Sequence, residues 1–134
     1  MRLAAFRHAL RSYLNFSEVA AARIGVTGQQ YQALLVVRAM PSSRDMTVSE
    51  LARQLLIKHH SAVGLVDRLV DQALLVRKAS REDARKVELR LTAKGSRALG
   101  RLADTHRDEL VHAGPQLTAL LDGITRTCAP GPGP

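Results

Sequence analysis

The chain has 134 residues, enough for one domain with a real core and too few for two of ordinary size. Hydrophobic residues make up 46%, but two Phe, two Tyr and no Trp leave an aliphatic core, and the single cysteine, Cys128, excludes an internal disulfide and fits a reducing compartment. A net charge of +8 favours a polyanionic partner, because phosphates neutralised by Lys and Arg release their counterions.

Leu3, Phe6, Leu10, Tyr13, Ser17, Ala20 and Ile24 recur at steps of three and four, which predicts one apolar stripe on a long helix ending at Gly25. The stripe exceeds the needs of a small core, so part of it either faces a second subunit or packs within the chain. Arg7, His8 and Arg11 interrupt it before any secretory core forms. No run approaches the ~18 apolar residues of a membrane span. The expected location is cytoplasmic, with no membrane partner.

Thr27-Gly28-Gln29-Gln30 reads as a capping box opening a helix with Tyr31, Leu34, Leu35 and Val37, which stops before Pro41. Pro41 to Asp45 is a loop by composition. A second capping box, Thr47-Val48-Ser49-Glu50, starts a short helix with Leu51, Ala52 and Leu55 inward. A turn near Leu56-Ile57-Lys58 leads to a third helix from about His59 to Gln72, with Ala62, Leu65, Val66 and Leu69 inward.

Leu74-Leu75-Val76 begins a hairpin whose second arm is Val87 to Leu91. There Val87, Leu89 and Leu91 alternate with Glu88 and Arg90, as in a half-buried strand whose charged side chains face water. The tip carries Arg81, Asp83, Arg85 and Lys86. Thr92 caps a helix with Leu99, Leu102 and Leu110 that is expected to end at Gly114-Pro115. Leu117, Leu120, Leu121 and Ile124 mark a last short helix, and the Pro/Gly-rich stretch from Thr127 to Pro134 is expected to be disordered.

A helix–turn–helix followed by a basic β-hairpin is a winged helix, mainly α with a small β-hairpin wing, and it points at duplex DNA. The second helix of such a unit lies in the major groove with its N-terminal residues at base edges. Those are Lys58, His59, His60 and Ser61, with Val63, Gly64 and Arg68 further along. Ser61 has a hydroxyl to donate and Val63 a surface for a thymine methyl. Arg85, flanked by Arg81 and Lys86, suits a minor groove, and Asp83 can hold the hairpin's shape. Thr47 and Arg77 complete the DNA-facing set.

Adjacent helical histidines diverge by about 100°, so His59 and His60 do not suit one metal, and no metal or cofactor is expected. No Gly-rich phosphate loop or paired carboxylates appear, and Cys128 lies in the tail, so the chain does not read as an enzyme.

Val26-Thr27-Gly28-Gln29-Gln30-Tyr31 with Leu34-Leu35, Leu65-Val66-Asp67-Arg68-Leu69, and Asp83-x-Arg85 running to Leu89-x-Leu91-Thr92-x-x-Gly95 together resemble the MarR family of bacterial transcriptional regulators, over roughly Phe16 to Leu102. The resemblance implies a homodimeric repressor on a palindromic operator, its N- and C-terminal helices interleaved and its DNA released when a small molecule binds. Residues 1–126 would be one domain, with 1–25 and 96–126 as dimerisation helices and 27–95 as the DNA-binding core, before the 127–134 tail.

The implied dimer interface includes Leu3, Phe6, Leu10, Tyr13, Leu14, Leu110, Leu117 and Leu121. A small aromatic or phenolic effector would find a positive lining in Arg7, His8, Arg11 and Arg38. Four features depart from the family pattern, the first being that the stretch before Asp83 lacks a frequent Asp-Pro. Lys58 stands where a small N-cap residue is frequent, Ala73 where glycine commonly ends the recognition helix, and the C-terminal helix is expected to be short. The alternative is a winged helix that binds nucleic acid non-specifically or docks a protein.

Overall fold

The computed structural model describes residues 2–127. They form α1 (Arg2–Arg23), α2 (Gly28–Ala39), α3 (Val48–Leu55), α4 (His59–Asp71), β1 (Leu75–Ala79), β2 (Val87–Leu91) and α5 (Ala93–Thr127). Of the 127–134 stretch expected to be disordered, Thr127 is instead the last residue of α5, and 128–134, Cys128 included, lie outside the described residues.

Local chemistry sets most of these boundaries. The Thr27 hydroxyl accepts from the Gln30 amide and the Gln30 side chain accepts from the Thr27 amide, both at 3.0 Å. The second box is only half formed. Thr47 accepts from the Glu50 amide at 3.1 Å, but the Glu50 carboxylate turns outward to Arg53 at 2.6 Å and Gln54 at 2.9 Å. Those contacts, with the Arg53 hydrogen bond foremost, lower the Glu50 pKa to about 2. A charge-assisted bond one turn away outcompetes the neutral amide.

Three helices end in the same motif, in which a left-handed residue lets two amides turn back onto the last carbonyls. Gly25 (φ +82°) ends α1, with Val26 donating to Ala21 at 3.1 Å. Leu56 (φ +58°) ends α3, with Ile57 donating to Ala52 at 3.1 Å. Ala73 (φ +59°) ends α4, with Leu74 donating to Leu69 and Ala73 to Val70, both at 2.9 Å. Only the first uses the residue that adopts this conformation without steric cost.

The core fills the space enclosed by the helices and the hairpin. Leu34, Leu51, Leu65, Val66, Leu69 and Leu75 are its largest fully buried side chains, so all four expected inward positions of α4 point inward. Each such aliphatic chain contributes about 1.5–3 kcal/mol on burial. β1 and β2 pair antiparallel from Leu75↔Leu91 to Ala79↔Val87, and the Leu89 amide donates to the Met46 carbonyl at 2.7 Å, which lays the 45–46 segment along β2.

Two expectations are corrected. Glu88 is buried and Val87 is exposed, because Asp45, Ser80 and Arg90 cover the Glu88 face of β2 while Val87 lies beyond the core near the hairpin's free end. The C-terminal region is a single 35-residue helix with Pro115 inside it, not two helices broken at Gly114-Pro115. Proline removes one hydrogen bond and crowds the preceding turn, a cost of about 3 kcal/mol. Packing offsets it: beyond the proline, Gln116, Leu117 and Leu120 line one groove with Ala5, His8 and Ala9 of α1, and Arg2 donates to the Gly123 carbonyl at 2.9 Å.

The αL turn at Ala73 yields a stability prediction. Ala73→Gly removes a Cβ from a left-handed residue without touching a core contact. It should raise stability by roughly 0.5–1 kcal/mol, part of the relief being offset by glycine's greater freedom when unfolded. Urea denaturation measures it; an unchanged or lower midpoint would show that the Cβ costs nothing in this turn.

Candidate DNA-reading surface

α3 and α4 are joined by Leu56-Ile57-Lys58, and α4 presents its first turn to solvent. Lys58, His59, His60 and Ser61 are all exposed, and Val63 and Gly64 are half-buried. Lys58 occupies the N-cap with extended backbone and no side-chain cap, as the departure from the family pattern predicts. The first amides of α4 therefore lack a capping side chain, at the positive end of the helix dipole, where an anion is favoured. Thr47 instead spends its hydroxyl on capping α3.

Gly64 lies one turn N-terminal to Arg68. A Cβ built on it would meet Arg68 Nη1 at 3.5 Å, an ordinary contact. Nothing inside the subunit therefore demands glycine there. Arg68 itself is exposed.

The wing is held to the rest by two polar systems. Arg77 of β1 pairs with Asp67 of α4, which ties the first arm to the recognition helix. Ser80 is the second system. Its hydroxyl donates to the Asp45 carboxylate and accepts from the amides of Glu82 at 3.1 Å and Asp83 at 3.2 Å. The Ser80 bond, then a hydrogen bond with Glu88, holds the Asp45 carboxyl below its ordinary pKa, and Lys86 and Arg90 add to the effect.

At the tip, Asp83 accepts from the Arg85 amide at 3.0 Å and from its Nε at 3.3 Å, while the Arg85 side chain stays 92% exposed. Lys86 and Arg81 are exposed too. The tip presents three cations on a turn whose shape Ser80 and Asp83 fix.

The four suggested effector residues are not gathered in one cavity of this subunit. Arg7 and Arg11 are exposed on α1, and His8 lines the groove between α1 and α5. Arg38 donates to Ser96 at 3.4 Å and lines a separate cavity of about 290 Å³ with Arg44, Arg81 and Arg90. Of the suggested interface residues, Leu3, Leu10, Leu14, Leu110 and Leu121 are exposed, and Phe6, Tyr13 and Leu117 are half-buried.

Sequence reasoning missed the Asp45–Ser80–Glu88 cluster, whose members are far apart in the chain, and it missed His106. His106 is buried against Tyr31, stacked at 4.7 Å, with Nδ1 at 2.7 Å from the Leu102 carbonyl and Nε2 at 2.8 Å from the Ser17 hydroxyl. A carbonyl only accepts, so Nδ1 donates, and the hydroxyl can satisfy Nε2. Its signal was present: His106 follows Leu99 and Leu102 at helical spacing on one face of α5.

A family model described as MarR family matches residues 24–86. No curated protein matches the chain. Among solved structures, MepR, a transcription regulator of the Staphylococcus aureus multidrug efflux pump MepA, superposes with a TM-score of 0.76 at 16% identity, covering 93% of this chain and 96% of its own. A MepR point mutant bound to an oligodeoxyribonucleotide gives 0.68 at 18% identity, covering 96% and 99%. The reduced form of MarR from E. coli gives 0.69 at 18% identity, covering 95% of each chain. At these identities the likeness establishes the winged-helix fold with its long terminal helices.

Ser80→Ala removes the donor to Asp45 and the acceptor for two amides, and should cost about 1–3 kcal/mol near neutral pH. The depressed Asp45 pKa stabilises the fold above the ordinary carboxylate range, and that contribution is lost as pH falls through it. The variant should therefore lose less stability than the parent between about pH 7 and pH 3. Urea midpoints at the two pH values decide the matter, and parallel losses would remove Ser80 as the cause of the shift.

Proposed function

From a chain whose residues 24–86 are of the MarR family, and whose whole described length has the fold of its winged-helix regulators, we propose a sequence-specific regulator of transcription that binds double-stranded DNA. It acts as a dimeric repressor of a nearby operon, on a palindromic operator, and a small aromatic or phenolic effector relieves it. The reading is that of a binding protein and not of an enzyme.

The observation that carries it is the first turn of α4. Lys58, His59, His60 and Ser61 are exposed at a helix N-terminus that no side chain caps, on a protein of net charge +8. These residues, with Val63 and Gly64, face base edges; Thr47, Arg68 and Arg77 lie along the backbone; Arg81, Arg85 and Lys86 on the wing enter or flank the minor groove, with Asp83 holding Arg85.

Two-fold symmetry of the operator requires a two-fold dimer. The apolar residues it would bury are those the single subunit leaves out, chiefly Leu3, Leu10 and Leu14 on α1 and Leu110 and Leu121 on α5, with Phe6, Tyr13 and Leu117 beside them. Arg7, His8, Arg11 and Arg38 are the proposed cationic contacts of the effector.

Titration of the protein against the intergenic duplex beside its own gene, and against a scrambled duplex, tests the reading at about 0.15 M salt. The native duplex should bind at least about 10³-fold more tightly, with two subunits per site. Equal, salt-sensitive binding to both duplexes would turn the function toward non-specific nucleic-acid binding. Arg85→Ala should weaken binding and reduce the salt slope by roughly one unit; an unchanged slope removes the wing arginine from the contact.

Leu10→Glu with Leu14→Glu should give monomers or insoluble protein in sedimentation experiments, since charges there cannot be buried unpaired. A well-folded dimer carrying both changes would place the interface elsewhere.

A further inference from the structure

Where the C-terminal ends of α1 and α4 meet the first turns of α5, the fold leaves a cavity of about 490 Å³. Its apolar wall is Ile24, Val26, Leu74 and Ala98. Its cationic wall is Lys94, Arg97 and Arg101, which lie with Ala98 on one face of α5 because their spacing is three, four and seven residues. No carboxylate lines it.

The three cations are not equivalent. Lys94 donates to the Gln72 carbonyl at 2.7 Å and so satisfies the end of α4. Arg97 and Arg101 make no hydrogen bond or ion pair among the described residues, although both helix ends offer carbonyls nearby. Their charge is not spent on the protein. A second observation concerns Gln72, which also lines the cavity. Its Nε2 donates to the Gly25 carbonyl at 3.5 Å, and its Oε1 is closed off from solvent with no donor. A buried acceptor without a partner is rare and calls for an explanation.

We propose that this cavity binds a small amphipathic organic anion. Its carboxylate or sulfonate is held by the forks of Arg97 and Arg101, its apolar body lies on Ile24, Val26 and Leu74, and an N–H or O–H of the same molecule donates to Gln72 Oε1. The volume lies in the range of small-molecule sites and the apolar wall disfavours a bare inorganic ion. DNA phosphate is not the occupant: the cavity is at the far end of α4, about 20 Å along the helix from its first turn. As a seat for the effector the site rests on the ligand-relief reading above, with Arg97 and Arg101 in place of Arg7, His8, Arg11 and Arg38 as its cationic contacts; as a binding site it does not.

The test uses 8-anilinonaphthalene-1-sulfonate, which combines a sulfonate, an aromatic body and an anilino N–H and fluoresces when bound. Arg97→Gln with Arg101→Gln should weaken its binding about tenfold or more. Arg107→Gln with Arg126→Gln, which lowers net charge equally on other parts of α5, should leave it within about twofold. Equal effects of the two pairs, or no saturable binding to the parent, would overturn the site.

Both arginines are exposed, so the fold survives their replacement, as circular dichroism verifies. Arg97→Lys with Arg101→Lys keeps the charge but not the fork and should bind with intermediate affinity. Gln72→Met should weaken binding several-fold, and unchanged affinity there would overturn the donor contact. A labelled native duplex separates site from role. Release by the dye from the parent but not from the Gln pair makes the cavity the effector's seat; binding without release keeps the site and overturns that role.

Discussion

The carbonyl end of α4 is the constraint on which the arrangement of α4, the hairpin and α5 depends. Its last turn is satisfied from within by the αL residue Ala73, and from outside by α5. The Thr92 amide donates to the Leu74 carbonyl at 3.2 Å, the Thr92 hydroxyl donates to the Ala73 carbonyl, and Lys94 donates to that of Gln72. Thr92 also accepts from the Gly95 amide at 3.0 Å, so one residue both starts α5 and closes α4. Gly95 is needed there: a Cβ on it would stand 2.2 Å from the Leu74 carbonyl oxygen. The hairpin leaves and returns through this knot, with Leu75 paired to Leu91 at its root. Recognition helix, wing and long helix are thus anchored at one point, and a displacement of α5 must be felt by α4.

Much of this was written locally enough to be read from the sequence. The Thr27 box, the inward positions of α4, the Thr92 cap and the second strand depend on residues within a few positions of one another. What escaped the sequence depends on partners far along the chain. Glu88 is buried where the 45–46 segment, itself held by Ser80, runs along β2, which no period-two pattern reveals. Pro115 is carried through a helix because α1 lies against the following turns. The half-formed box at Thr47 is a competition between two acceptable partners for Glu50, and Arg53 three residues on was visible but its precedence was not. Within the candidate site, the residue types and their order were legible, while the Ser80 hub that shapes the wing was not.

The basic residues divide by what they are spent on. Arg77, Arg53 and Arg90 have carboxylate partners, and two of those pairs fix the wing or its underside. Lys58 leaves the start of α4 without a side-chain cap, and Arg85 stays 92% exposed although it pairs with Asp83. Exposed ion pairs add little stability, so the pair at the tip orients Arg85 more than it supports the fold. Placing an arginine beforehand lowers the ordering entropy lost on binding. The wing spends structure on geometry, and α4 keeps its first turn uncommitted.

The long helices pose the opposite problem. A 35-residue helix is roughly 50 Å long, beyond what the winged core can cover, and α1 accompanies it along part of that length. The half of α1 near the core buries Ser17, Ala20 and Ala21, whereas Leu3 and Leu14 are each 58% exposed. Single exposed leucines need no explanation, but a series of them on two helices that already pack together does. A polar face would have made the pair a stable hairpin by itself. The sequence instead continues the apolar stripe past the point where the subunit can use it, and a two-fold partner is the economical occupant, because one surface then covers both copies. Under the proposed function, a two-fold operator and the amphipathicity of α1 and α5 ask for the same dimer.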